Sequence, residues 1–107
     1  MSSNKKRIRQ EFRDAVFERD GNKCRVCGWS IQTAEVQLDA HHITDRTLMP
    51  NGGYVVENGI SLCPAHHEMA EAFHSTGKPV PGFSPNNLYN LIGSSYDRAV
   101  RASEKLK

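Results

Sequence analysis

Two short ligand pairs constrain this chain more than any other feature: Cys24-Arg25-Val26-Cys27 and Cys63-Pro64-Ala65-His66. Each pair sets two soft donors at metal-ligand spacing, and together they supply the four ligands of one tetrahedral zinc. Three cysteines cannot all pair as disulfides, and Cys-x-x-Cys is too tight for an ordinary structural bridge. Nothing around Cys24 and Cys27 reads as the strand-helix unit of a redox motif. A closed site of this kind has no open position for water, so its zinc does no chemistry and ties the first helix to the segment after the second strand. The staple matters because 107 residues with 37% hydrophobic side chains make one domain with a modest core. Metal in place of oxidation points to a reducing compartment. Residues 1–10 hold no apolar stretch that reads as a signal or a span, so a cytoplasmic protein without membrane contact is expected.

Hydrophobic periodicity divides the chain into a disordered basic arm at residues 1–7, a domain at residues 8–76, and a connector with a helical C-terminal extension at residues 77–107. Ile8, Phe12, Ala15 and Val16 recur at helical spacing up to Asp20-Gly21, a natural stop. Gly28 lets the amides of the first knuckle fold toward sulfur, with Trp29 placed to cover the metal. From Val36 the chain alternates apolar and polar, predicting a strand with Val36, Leu38 and Ala40 toward the core and Asp39 and His41 on the opposite face. Pro50 and Asn51-Gly52-Gly53 make residues 44–54 a loop. Gly59-Ile60-Ser61-Leu62 reads as a second strand, and Pro64 opens a helix running to about Phe73. Beyond the connector at residues 77–83, Ser84-Pro85 reads as a helix cap and first position. Leu88, Leu91 and Ile92 then pack one short helix, and Tyr96 and Val100 another. The class is α+β.

With His66 assigned to zinc, His41, His42 and His67 need a separate explanation. Neighbouring residues of a strand point to different sides, so one of His41 and His42 can bind a metal while the other stays free. A cation polarises a phosphate, and a neutral imidazole takes a proton from water. Glu71 and His74 follow His67 on the same helical face. One of them completes the metal shell or orients His67 from outside it; His74 reads as an ordinary surface or packed residue.

These residues resemble the HNH endonucleases, in their zinc-containing branch. The likeness rests on Asp39-Ala40-His41-His42-Ile43, Asn58-Gly59-Ile60-Ser61-Leu62-Cys63 and His66-His67, preceded by residues 13–28 as the helix and first knuckle, and it spans about residues 8–74. The resemblance implies a small ββα-metal domain in which two strands and a helix clasp one catalytic divalent ion. It implies His42 as general base, His41 and His67 as ligands of that ion, and Asn58 as the brace of the intervening loop; Glu71 remains a further candidate ligand from its helical spacing alone. It also implies phosphodiester hydrolysis in DNA, probed first as double-stranded, leaving 5′-phosphate and 3′-hydroxyl ends. Many members carry aspartate where His41 stands, which leaves Mg2+, Mn2+, Ni2+ and Zn2+ open for the catalytic ion. The last zinc ligand is commonly cysteine, so His66 and His67 are interchangeable on sequence alone. Lone domains of this length resemble those of phage and bacterial genomes, with a homodimer or a larger assembly left open.

The formal net charge of +2 is unevenly spread. Residues 1–30 carry eight Lys or Arg against four Asp or Glu, and residues 77–107 carry five against two. Residues 31–76 carry one against six and hold all five histidines. Basic flanks around an acidic, histidine-rich centre suit a site that presents a cation to a polyanion. The rival reading is a zinc-stapled nucleic-acid-binding module without catalysis, which leaves His41, His42 and Asn58 idle. A zinc protease is excluded: after His67-Glu68 its motif needs histidine where Glu71 stands.

Overall fold

The computed structural model describes residues 2–30 and 37–106. Helix α1, Ser2–Arg19, is built from Lys, Arg, Gln and Glu around Phe12 and Val16, which are buried one turn apart. Residues 2–7, expected as a disordered arm, are its first turns instead. No glycine or proline interrupts them, and Arg7 pairs with Glu11 across one turn at 3.7 Å. At the other end Gly21 (φ 67°) and Asn22 (φ 58°) turn the chain back toward the Cys24 knuckle, both residue types that tolerate the left-handed region.

Strand β1, Asp39–His42, pairs antiparallel with β2, Gly59–Leu62, in the register Asp39↔Leu62, Ala40↔Ser61, His41↔Ile60 and His42↔Gly59. Residues directly opposite share a face, so Ala40, His42, Gly59 and Ser61 look one way and Asp39, His41, Ile60 and Leu62 the other. The first face meets α1. Gly59 comes so close that a Cβ there would lie 2.4 Å from Val16 Cγ2 and 2.8 Å from the Phe12 ring, and Ser61 Oγ donates to Val16 O at 3.4 Å. The second face meets helix α2, Pro64–Thr76, where His67 Nδ1 stands 3.2 Å from Asp39 Oδ2.

Both faces being covered corrects the expected inside-outside alternation. Leu38 is fully buried as expected, but so is His41, while Ala40 is half-buried. Val36 lies outside the described residues. The loop over residues 44–54 and its continuation to Asn58 are folded into short 3₁₀ turns. Helix α2 runs past Phe73 to Thr76, where Gly77 (φ 77°) caps it and donates to Phe73 O.

Helix α3, Pro85–Leu91, starts on a capping box in which Ser84 and Asn87 exchange hydrogen bonds, and α4, Tyr96–Glu104, is capped by Ser95. The C-terminal segment joins the main core: Phe83, Leu88, Tyr89 and Ala99 are buried with Leu38, Ile43, Ile60 and Leu62. Leu91 and Tyr96, expected inward, are exposed; Tyr89 and Ala99 take the inward positions. Asn51 Nδ2 fastens α4 by donating to Ser103 O and Leu106 O at 3.0 and 3.1 Å. No helix among the described residues is long and apolar enough to cross a membrane.

One buried carboxylate ties α1 to β2. Asp20 accepts a two-pronged bond from Arg19 at 2.7 and 2.8 Å and the Ser61 amide at 2.9 Å. Arg19 also donates to Val56 O and Gly59 O, both at 2.7 Å. Removing one partner of a buried, hydrogen-bonded charge pair costs about 3–5 kcal/mol. Asp20→Ala should therefore lower unfolding free energy by about 3 kcal/mol in a urea titration; a change below about 0.5 kcal/mol would show the tie to be dispensable.

Candidate active site

Two chain reversals bring the sulfur donors together. The turn at residues 24–28 closes with Gly28 N–H on Cys24 O at 2.8 Å, and Arg25 N–H on Ser61 O at 2.9 Å docks it against β2. Cys63 and His66 follow on the first turn of α2. Cys27 Sγ is 3.9 Å from Cys63 Sγ, and His66 Nδ1 is 3.6 and 3.3 Å from Cys24 Sγ and Cys63 Sγ. A tetrahedral zinc needs about 3.8 Å between sulfurs and about 3.6 Å between sulfur and nitrogen, so the donor set fits one ion. A disulfide would need about 2.05 Å. Burial opposes ionisation of Cys24, but the amides of Cys27, Cys63 and Val26 and the His66 ring outweigh it and lower the thiol to about 6. The Trp29 amide lowers Cys27, yet burial and the sulfurs of Cys24 and Cys63 leave that thiol raised. Three sulfurs this close ionise together only beside a cation. His66, rather than His67, turns to the sulfurs.

On the second face of the sheet, His41 points at α2 and meets the other histidines. Its ring is 5.2 Å from that of His67 and 5.1 Å from that of His74. Glu71 Oε1 lies 3.7 Å from His41 Nδ1 and 3.4 Å from His67 Nε2. His41 is 2% exposed, and among the described residues neither of its ring nitrogens has a hydrogen-bond partner. Burial, reinforced by the neighbouring His67 and His74, depresses its pKa to about 3. A buried, neutral, unpartnered imidazole is the state a metal requires of its ligand, so the donor set here fits a second ion. His74, which the sequence reading left as an ordinary residue, belongs to the cluster: His41, Glu71 and His74 bring donor atoms within 4.8 Å of one another.

His42 faces the other way, toward α1. Its ring stacks on Phe12 at 4.5 Å and meets the edge of Tyr54 at 4.7 Å. Burial, then the charge of Arg46, lowers its pKa to about 4, and its Nε2 has no partner among the described residues. Phe12 and Tyr54 had no signal in the sequence beyond a helical apolar position and a loop aromatic. Both histidines line one cleft of about 460 Å³, together with Glu71 and His67 from α2 and with Arg9, Arg13 and Arg46. The arrangement offers a neutral base, a cation-binding cluster and cationic side chains around one space.

Asn58 holds the loop between the strands. Fully buried, it accepts from the Thr44 amide at 3.0 Å and donates to Thr44 O and Gly53 O at 3.1 and 3.2 Å. Gly53 must lack a side chain, since a Cβ would lie 2.8 Å from Asn58 Nδ2. Tyr89, from α3, donates to Asn58 Oδ1 at 2.7 Å and is 2.7 Å from Thr44 Oγ1. The C-terminal extension thus reaches the loop that Asn58 braces, a role no sequence pattern indicates.

A family model described as HNH endonuclease matches residues 24–76. Comparison with curated proteins and with solved structures gives no match.

The Asn58 network generates a graded expectation. Asn58→Ala leaves several buried groups unpaired and should cost about 2–4 kcal/mol of unfolding free energy. Tyr89→Phe removes one hydroxyl and should cost about 1 kcal/mol. Urea denaturation showing equal losses would mean that the tyrosine carries the network and Asn58 does not.

Proposed function

Because the chain belongs to the HNH endonuclease family through residues 24–76, we propose that it is a divalent-metal-dependent nuclease that hydrolyses DNA phosphodiester bonds. The observation that carries this reading is the division of His41 and His42 between two faces of one strand, both opening on the same cleft. His42 is the general base: its Nε2 is free, its ring is neutral at physiological pH, and Phe12 and Tyr54 fix the direction in which it accepts a proton. His41, His67 and Glu71 would hold the working ion, a reading supported by their convergence and by the unpartnered His41. Such an ion supplies a Lewis acid that offsets charge on the phosphate and on the departing 3′ oxygen.

His42 draws a proton from a water placed for in-line attack on phosphorus. Asn58 keeps residues 43 and 44, and with them the end of β1, from shifting under the base: its backbone carbonyl accepts from Ile43 N–H and its side chain closes on Thr44. Arg9, Arg13 and Arg46 suit phosphates flanking the cut, and Arg46 donates to Tyr54 Oη at 3.3 Å. The cysteine cluster is a structural zinc site, in keeping with its sulfur-rich, closed donor set.

Supercoiled plasmid incubated with Mg2+, Mn2+ or Ni2+ tests the activity. Wild-type protein should nick or linearise it, and His42→Ala should slow cleavage by about 10²–10⁴-fold with folding unchanged. A mobility shift without cleavage in every metal would make the chain a binding module instead.

The pH profile tests the base directly. A depressed pKa keeps His42 in its proton-accepting form well below the usual histidine range, so the rate should hold from pH 8 to about pH 5 and fall toward about 4. A half-maximal rate near the ordinary value of about 6.5 would mean that His42 titrates as a solvated side chain.

A further inference from the structure

Helix α2 turns three ligand-capable side chains toward the sheet: His67, Glu71 and His74. His67 has its Nδ1 3.2 Å from Asp39 Oδ2, and its Nε2 faces the cluster 3.4 Å from Glu71 Oε1. His74 is placed differently. Its Nε2 is 3.0 Å from the carbonyl oxygen of His42. A carbonyl can only accept, so Nε2 carries the ring proton and the lone pair of the neutral ring belongs to Nδ1. Metal-binding histidines are typically fixed in this way, one nitrogen anchored to a backbone carbonyl and the other presented to the ion. The point of convergence is marked independently by His41, whose buried ring finds no partner among the described residues.

We propose that His74 is a further ligand of the working ion, beside His41, Glu71 and His67, and that this donor set selects Ni2+, Co2+ or Zn2+ over Mg2+. The inference rests on the metal-dependent nuclease reading and adds to it a ligand outside the set that the resemblance implies. Imidazole nitrogens suit late first-row ions, whereas Mg2+ takes oxygen ligands and keeps its waters. The anchor has a second consequence. The His42 carbonyl that fixes His74 belongs to the residue whose side chain is the base, so one peptide unit sets the ion and the base relative to each other.

Calorimetric titration of the purified protein with Ni2+, its cysteine site kept filled with Zn2+, tests this without reference to cleavage. His74→Gln keeps an amide donor for the His42 carbonyl and loses the imidazole lone pair, so it separates ligation from anchoring. Ni2+ affinity should fall by about 100-fold in His74→Gln and in His74→Ala, with the midpoint of thermal unfolding of the glutamine variant close to wild type. Wild-type protein should bind Ni2+ more tightly than Mg2+. Wild-type Ni2+ affinity in His74→Gln, or equal affinity for the two ions in the parent, would overturn the assignment. If the parent still cleaves plasmid in that case, the nuclease reading stands without it. A parent that binds no second ion and cuts nothing would bring down both.

Discussion

The site depends on one constraint, the alternation of side chains along four residues of strand clamped between two helices. His41 and His42 are adjacent, and β geometry sends them to opposite faces of the hairpin. In a sheet with one wet face, one of them would be solvated and free to turn. Here α1 closes one face and α2 the other, so both imidazoles are desolvated and neutral, with depressed pKa values. A metal ligand and a proton acceptor need that same state but different surroundings. His41 meets carboxylate and imidazole, and His42 meets aromatic rings.

Polar ties add to the apolar packing that holds the clamp. The Arg19–Asp20 pair fastens α1 to β2 through charge-assisted bonds, and the Cys24 turn meets the start of α2 around a set of four metal donors. Gly59 permits the closest approach of α1, the approach that brings Phe12 onto the His42 ring. Any side chain at Gly59 would push α1 away and loosen the packing on the His42 ring before it disturbed the His41 cluster. The buried set of Phe83, Leu88, Tyr89 and Ala99 completes the core from outside the matched family segment, and through Tyr89 it becomes part of the loop brace.

Much of this was legible in the sequence, for identifiable reasons. The two strands, α2 and the capped α3 announce themselves through alternation, Pro64 and Ser84-Pro85, and the cysteine pairs carry their meaning in their spacing. Among the features that were not legible, three have clear physical reasons. Residues 2–7 continue α1 because Lys5, Lys6 and Arg7 are good helix formers, so a basic charge does not by itself make an arm. The burial of His41 follows from helices on both sides of the sheet, a tertiary fact that no strand pattern encodes. His74 stands seven residues from His67, and only the pitch of α2 against β1 decides that it reaches the cluster and the His42 carbonyl.

The account needs two ions in two unlike donor sets, with the base belonging to neither. Crystals soaked in Ni2+ and measured at the nickel and zinc absorption edges would locate both directly. Two anomalous peaks are expected, one among Cys24, Cys27, Cys63 and His66, the other bonded to His41 and distant from the His42 ring. A single peak, or a second peak bonded to His42, would contradict it.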